Sequence, residues 1–234
     1  DGFGQIVGIS AEAGMGKSRL VAEIVREATA RNVLVYGGEC HSYGINTPYL
    51  VWQSIWRAFF GLDPSASVAD QIAALTVALA RIDPALLPRL PLLGAVLNLS
   101  IPDNALTRDF DARLRKESLE AMLVSCLRAR TAESPIMIVL EDCHWIDALS
   151  HDLLEVIGRA IVRMPVLIVM AYRPPQIQRL TEPRVTAFSH FRELPLDSLL
   201  PDEVATLVRL KLGQFFGDID AVPDDLVERV NERT

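Results

Sequence analysis

Residues 5–19 read QIVGISAEAGMGKSR, and this stretch decides the fold. Its first part, QIVGIS, has the apolar and β-branched composition of a short buried strand. A turn containing Gly14 and Gly16 follows, and from Lys17 to Ala30 the apolar residues recur on one face of a helix. The sequence therefore predicts a strand, a glycine-rich loop and a helix in direct succession.

The loop between that strand and that helix has the residues of a phosphate-binding site. Residues 11–18 (AEAGMGKS) fit the pattern GxxxxGK[ST], except that Ala11 takes the place of the first glycine. Glycines let successive amide N–H groups point inward, and the following helix adds the positive end of its dipole. Lys17 supplies a point charge for phosphate oxygens, and the Ser18 hydroxyl is a hard oxygen ligand suited to Mg²⁺.

The rest of the chain alternates short β-rich runs with long helical stripes, as expected for βαβ units. The predicted fold class is therefore α/β, with a mostly parallel sheet flanked by helices. We predict one such domain over residues 1–196 and the start of a C-terminal helical subdomain over residues 197–234. Further strands are predicted at 33–36, 136–140 and 166–171, and further helices at 50–60, 68–82, 109–130, 148–163, 202–212 and 224–233, with 83–104 irregular or short-helical. In the helix at 109–130, Asp109 is predicted as the N-cap, and the buried stripe as Phe110, Leu114, Leu119, Leu123 and Leu127.

An acidic pair follows one of the predicted strands directly. The apolar run IMIVL at 136–140 ends in Glu141 and Asp142. Open α/β sheets bind their ligands at the carboxyl ends of the strands, so these side chains are expected beside the glycine-rich loop. One carboxylate of such a pair can hold Mg²⁺ through water, and the other can orient or deprotonate an attacking water.

Composition limits the classes of function that remain. The 234 residues carry 23 Lys and Arg against 30 Asp and Glu, a net charge of −7, so we expect no direct nucleic-acid contact by this segment. Apolar residues make up 50% of the chain, which excludes intrinsic disorder. No apolar run is long enough to cross a membrane. Three widely spaced cysteines suit reduced thiols, so we expect a cytoplasmic location. Because residue 1 is Asp, we expect a piece of a longer protein.

Three segments resemble the P-loop, Walker B and sensor segments of STAND-type and AAA-related ATPases. They are AEAGMGKSRL at 11–20, VLEDCHWID at 139–147 and VMAYRP at 169–174. Such ATPases occur in large bacterial signalling proteins, including multidomain adenylate/guanylate cyclases and helix-turn-helix transcriptional activators. The resemblance covers most of the chain and implies a P-loop NTPase fold that binds ATP with Mg²⁺.

The resemblance also implies roles for particular residues. Glu141 and Asp142 would form Walker B, with Asp142 favoured over Glu141 as the metal ligand beside Ser18. Arg173 would be a sensor-like arginine that stabilises charge near the γ-phosphate, the alternative being a helix-capping or surface arginine. Arg19 would contribute through its backbone. The residues expected to line the phosphates are Ala13, Gly14, Met15, Gly16, Lys17, Ser18 and Arg19.

The residues after Walker B have structural alternatives. For Trp145 a packing role is favoured over stacking on a base. For Asp147, capping the next helix and positioning a water have equal weight. A zinc site lacks CxxC or HxxxH spacing among its candidate ligands, which are Cys40, His41, Cys143, His144 and His151.

Two classes of function follow from these residues. The first is an ATP-binding, slowly hydrolysing switch in a multidomain signalling protein, associated with an adenylate/guanylate cyclase. In it, the packing against the helical segment after Asp197 changes with the nucleotide and is sensed by other domains of the same polypeptide. The second is a nucleotide-binding interaction scaffold without significant turnover, and an ATPase module of a transcriptional activator is a further alternative. Whether the chain forms homo-oligomers is left open.

Overall fold

The computed structural model describes residues 2–173, 184–197 and 201–216. Its strands are β1 (Gln5–Ser10), β2 (Leu34–Glu39), β3 (Ile136–Glu141), β4 (Val166–Tyr172) and β5 (Phe191–Pro195). They form a five-stranded sheet in the order β2-β3-β4-β1-β5, and each of its pairings is parallel. Its helices are α1 (Lys17–Ala30), α2 (Leu50–Phe59), α3 (Val68–Ile82), α4 (Leu93–Leu97), α5 (Ala112–Thr131), α6 (Ala148–Ala160) and α7 (Pro201–Phe216). The predicted α/β class is confirmed.

The central strands are buried on both faces. In β3, Ile136, Ile138 and Leu140 pack into a large apolar cluster that includes residues of α2, α5 and α6. Met137 and Val139 point to the other face, where they pack in the cluster of α1. Burial on both faces explains why the central strands are continuous apolar runs rather than alternating ones.

Most predicted elements are confirmed, and several have the predicted bounds. The elements predicted at 5–10, 17–30 and 68–82 begin and end at those residues. The irregular region predicted at 83–104 contains a 3₁₀ segment (Pro84–Leu92) and α4. The predicted helix at 148–163 consists of α6 and a 3₁₀ turn (Ile161–Arg163). Strong local periodicity therefore located these elements well.

The second strand is longer than predicted. The predicted strand ends at residue 36, whereas β2 continues through Gly37 and Gly38 to Glu39. A Cβ atom on Gly38 would collide with the carbonyl oxygen of Val51 in α2. The glycine thus marks the close approach of a helix to the strand, rather than the end of the strand.

The predicted start of α5 was wrong. Its N-cap is Asp111, whose side chain accepts a 2.7 Å hydrogen bond from the Leu114 amide, and Asp109 instead ends a short 3₁₀ turn. Leu114, predicted in the buried stripe, is 44% exposed. Phe110 precedes the helix and is partly buried. The rest of the predicted stripe is buried, namely Leu119, Leu123 and Leu127.

One strand was not predicted at all. β5 (FRELP) is an edge strand that pairs with β1, and most of its residues are exposed. An edge strand needs no continuous apolar run, and it tolerates a proline such as Pro195 at its end. Its sequence therefore lacks the pattern that identified the buried strands.

The C-terminal part of the chain is helical where it is described. α7 confirms the helix predicted at 202–212 and extends it to Phe216. The helix predicted at 224–233 lies outside the described residues, and the boundary near Asp197 stays a prediction. Within the described ranges, none of the helices has the length and apolar character needed to span a bilayer.

Candidate functional site

The loop between β1 and α1 is shaped by two glycines in left-handed backbone conformations. Gly14 has φ 85° and Gly16, the N-cap of α1, has φ 84°. Residues other than glycine pay about 1–2 kcal/mol for that conformation. From Glu12 to Arg19, no amide N–H donates to a backbone oxygen of the described residues. The loop thus offers a run of free donors at the positive end of a helix, which fits an anionic ligand.

Lys17 lies folded over this loop. Its Nζ donates hydrogen bonds of 2.7 Å to the carbonyl oxygens of both Ala11 and Glu12. Burial lowers the pKa of Lys17, and the nearby Arg173 guanidinium lowers that pKa further, whereas the carboxylates of Asp142 and Glu12 act in the opposite direction. The lysine therefore lies within electrostatic reach of both the turn after β3 and the end of β4.

The order of the strands explains why these groups meet. β4 lies between β1 and β3, with Ser10 in register with Tyr172 and Leu140 in register with Met170. The Ala11 amide donates to the Tyr172 carbonyl at 3.2 Å, so the pairing extends into the loop. The loop, the acidic pair and Arg173 all leave the sheet at its carboxyl edge, where the sequence placed them.

The two acidic residues occupy different positions at that edge. Glu141 is the last residue of β3, and it lines a cavity of about 600 Å³ together with His41 and Arg57. Asp142 has left the strand with φ 52°, and its side chain is 43% exposed. Asp142 is the residue of this pair whose charge acts on Lys17. The geometry therefore favours Asp142 as the carboxylate that faces the loop, while the metal-binding role stays a prediction.

Arg173 follows β4 directly and is partly buried. Its charge acts on both Lys17 and His144. Among the described residues, no ion pair involves Arg173. An anion placed between Arg173 and Lys17 would relieve the repulsion between these two cations.

The turn that carries Asp142 also resolves two structural alternatives. Trp145 donates its amide to the Asp142 carbonyl at 2.9 Å, and its side chain packs against the large apolar cluster, as a packing residue does. Asp147 is buried, and its Oδ1 accepts from the Ser150 amide at 2.9 Å and from the Tyr49 amide at 3.3 Å. Asp147 therefore caps α6 and joins it to the start of α2.

His144 is the residue whose environment the sequence did not predict. Its side chain is 1% exposed, and its Nδ1 lies 3.8 Å from Oδ1 of Asp142, beyond hydrogen-bond distance. In the part of the chain that is described, neither ring nitrogen has a hydrogen-bond partner. Burial lowers the pKa of His144, Asp142 opposes that shift, and Arg173 and Lys17 add to it. A buried polar group without a partner costs about 1–3 kcal/mol. The feature of the sequence that could have indicated this environment is the position of His144, two residues after Asp142.

The donor set suits magnesium better than zinc. Ser18 is exposed in the first turn of α1, and the Asp142 carboxylate leaves the same edge of the sheet. Mg²⁺ takes few protein oxygens and keeps several waters, so one hydroxyl and one carboxylate fit it. Over the described ranges, no group of three or more His, Cys, Asp or Glu residues could hold a metal. Cys40, Cys126 and Cys143 are free and buried.

The sequence pattern of the AAA ATPase domain matches residues 1–169 of this chain. The chain belongs to the AAA ATPase family. An uncharacterized protein of Rhizobium meliloti (strain 1021) is 32% identical over 179 residues. That match covers 74% of this chain and 16% of the Rhizobium protein. Membership of the family confirms the prediction of an ATPase and implies nucleotide binding.

A solved structure supports the fold. Cdc6p of Pyrobaculum aerophilum has a TM-score of 0.51 at 14% identity, with 100% of this chain and 49% of that chain covered. The Aeropyrum pernix ORC1 protein, solved in complex with DNA, has a TM-score of 0.45 at 15% identity. That match covers 90% of this chain and 44% of the ORC1 chain. The likeness to Cdc6p confirms the predicted P-loop NTPase fold. This chain spans less than half the length of either protein.

Proposed function

We propose that this AAA ATPase domain binds Mg²⁺–ATP at the carboxyl edge of its sheet and hydrolyses it slowly, as a regulatory switch. The observation that carries the proposal is the meeting of four features at that edge. They are the free loop amides, Lys17, Asp142 and Arg173. The amides and Lys17 come from the loop and first turn after β1, Asp142 follows β3 and Arg173 follows β4, so their meeting depends on the tertiary fold.

Binding uses the loop between β1 and α1. The amides from Ala13 to Arg19 and the positive end of α1 match the oxygens of a polyphosphate. Lys17 now donates to the carbonyls of Ala11 and Glu12, and it would exchange at least one of these bonds for a phosphate oxygen. A phosphate oxygen is the stronger acceptor for the Lys17 ammonium group, because it carries negative charge whereas a backbone carbonyl oxygen is neutral.

In hydrolysis, the polar and charged side chains at this edge would have separate roles. Ser18 and Asp142 would hold Mg²⁺, which when bound neutralises charge on the phosphate oxygens. Glu141 would then be the carboxylate available to orient the attacking water. Arg173 would stabilise the charge that develops on the transferred phosphoryl group.

The switch would act within a longer polypeptide. The chain spans 16% of the length of its Rhizobium relative, which supports a role as one module among several. The proposed readout is the packing between this domain and the helical segment after Asp197, sensed by neighbouring domains in the cytoplasm. The resemblance of the PYLVW segment at 48–52 to the cyclase-linked ATPases supports an adenylate/guanylate cyclase as the output domain. The net charge of −7 supports partners other than nucleic acid.

The first test measures nucleotide binding. Lys17→Ala is expected to raise the Kd for Mg²⁺–ATP by about 100-fold or more in calorimetry, because two or more charge-assisted hydrogen bonds are lost. The matched control is Arg26→Ala, which removes an exposed cation that pairs with Glu23 on the same helix. Equal affinities of the Lys17→Ala and Arg26→Ala proteins would contradict the site.

The second test separates the switch from a scaffold without turnover. The scaffold is favoured by Glu141, which stands where related ATPases more often have an aspartate. Phosphate release is measured for the unaltered chain and for Asp142→Asn, which keeps the size of the side chain. We expect the amide to lower kcat by about 100-fold or more, since it removes a charge required in the transition state. Equal rates in the two proteins would favour the scaffold.

A further inference from the structure

We infer that His144 is a positioning residue for Asp142. In this role the imidazole donates from Nδ1 to the Asp142 carboxylate in the nucleotide-bound state, and so keeps that carboxylate turned toward the loop of Lys17. The inference rests on the proposed function, because Asp142 needs a fixed orientation only if it acts on a nucleotide.

The two side chains are presented by one tight turn. Asp142 adopts a left-handed backbone conformation, and its carbonyl accepts from the Trp145 amide at 2.9 Å. Cys143, which lies between Asp142 and His144 in the chain, is fully buried, and its Sγ donates to the Leu140 carbonyl at 3.2 Å. The backbone on both sides of His144 is therefore anchored, and the ring is held beside Asp142 by covalent connection and by packing.

The two side chains differ in their freedom to move. The His144 side chain is 1% exposed, whereas that of Asp142 is 43% exposed. Closing the 3.8 Å gap between Nδ1 and Oδ1 to a charge-assisted hydrogen bond of about 2.8 Å takes about 1 Å of movement. Because the imidazole is enclosed, the carboxylate makes that movement, and the ring serves as the fixed reference.

The unpaired nitrogens of the buried His144 ring support its role in positioning Asp142. A purely packing position would be filled at lower cost by an apolar side chain of the same size, since both ring nitrogens lack partners among the described residues. A neutral imidazole carries one N–H, and with that proton on Nδ1 it is a donor aimed at its carboxylate neighbour. Lys17 and Arg173 act on the ring as well, so it lies within the field of the proposed site.

Three substitutions of His144 separate positioning from packing. Asn places an amide donor near Nδ1, Gln places one near Nε2, and Phe keeps the volume without a donor. We expect His144→Phe and His144→Gln to lower kcat for ATP by about 10- to 100-fold with KM unchanged, the usual loss for residues that orient a catalytic group. His144→Asn is expected to keep kcat within about fivefold of the unaltered chain. Equal rates in all four proteins, an Asn variant as slow as the Phe variant, or a loss confined to KM would overturn the inference.

Two controls keep the inference distinct from the proposed function. His151→Asn alters another buried histidine, on α6, and is expected to lower the denaturation midpoint while kcat is kept. The rate of phosphate release by Lys17→Ala is the background rate. If the unaltered chain is no faster than this background, turnover is contradicted, but the positioning of Asp142 by His144 is not. In that case ¹⁵N-histidine NMR decides between the outcomes. A downfield shift of the His144 Nδ1 proton on addition of ADP with Mg²⁺, lost in Asp142→Asn, supports the inference, and an unchanged signal overturns it.

Discussion

The two edges of the sheet differ in what they offer a ligand. At the amino edge lies a cavity of about 700 Å³ with a mainly apolar lining that includes Phe3, Ile24, Val33, Met137 and Leu167. At the carboxyl edge, free amides lie instead beside two cations, Lys17 and Arg173. The carboxylates of Asp142 and Glu12 act on Lys17 there as well. The apolar cavity and the charged site therefore lie at opposite edges of the sheet. For a parallel sheet, the direction of the strands and the unpaired donors are the better guide.

Helix α1 connects the two edges and makes them unequal for an anion. Its N-terminus, beginning at Lys17, presents the positive end of the dipole to the phosphate loop. Its C-terminal half, including Ile24, Glu27 and Ala28, lines the apolar cavity, toward the negative end of the dipole. The dipole of α1 therefore favours a polyphosphate at the carboxyl edge over the amino edge.

Beyond the tests of Lys17 and Asp142, the largest effect on turnover is expected at Arg173. Arg173→Ala should lower kcat for ATP by about 100-fold, because it removes a cation that faces the developing charge, and it should change KM less. Phosphate release at saturating ATP measures the effect. Arg113→Ala, which removes an exposed arginine paired with Glu117, is the control and should leave kcat unchanged. Similar rates for the two variants would show that the carboxyl edge does not use Arg173.

The glycines of the loop give the next largest effect. Gly16→Ala should raise the Kd for Mg²⁺–ATP by about 10- to 100-fold, since one or two hydrogen bonds to a charged group are lost as the strained backbone relaxes. The free energy of unfolding should fall by about 1–2 kcal/mol. Gly37→Ala in β2 is the matched control, because Gly37 has no positive φ and open space around its Cβ position. A Gly16→Ala protein with unchanged affinity would contradict the role of the loop amides.

The sequence predicted the local parts of the carboxyl edge and missed those set by distant contacts. The strand, loop and helix around Lys17 were located to the residue because a motif and a strong periodicity are encoded within one stretch. The length of β2 depended on α2 lying against Gly38, and β5 depended on pairing with β1. The burial of His144 could not be seen either, since a short turn gives no periodic signal.

Asp147 should affect stability and leave nucleotide binding unchanged. Asp147→Ala removes the acceptor of two buried amides, so the free energy of unfolding should fall by about 2 kcal/mol, as measured by urea denaturation. The Kd for Mg²⁺–ATP should stay within about twofold when measured well below the unfolding transition. A large loss of affinity in a stably folded variant would restore the water-positioning alternative and extend the carboxyl edge to Asp147.

The smallest effect is expected at the amino edge. Phe3 is 67% exposed at the rim of the apolar cavity. Phe3→Ala should change the free energy of unfolding by less than about 0.5 kcal/mol and leave the affinity for Mg²⁺–ATP unchanged. Weaker ATP binding in this variant, by calorimetry, would mean that the apolar cavity takes part in nucleotide recognition.

Amide chemical-shift mapping during a titration with Mg²⁺–ATP tests most directly whether the carboxyl edge is the phosphate site. The expected result is that the largest shifts occur at Gly14, Gly16 and Lys17, with a second group at Asp142 and His144. Shifts concentrated at Ile24 and Leu167 instead, with the loop amides unmoved, would contradict the assignment of the nucleotide to this edge.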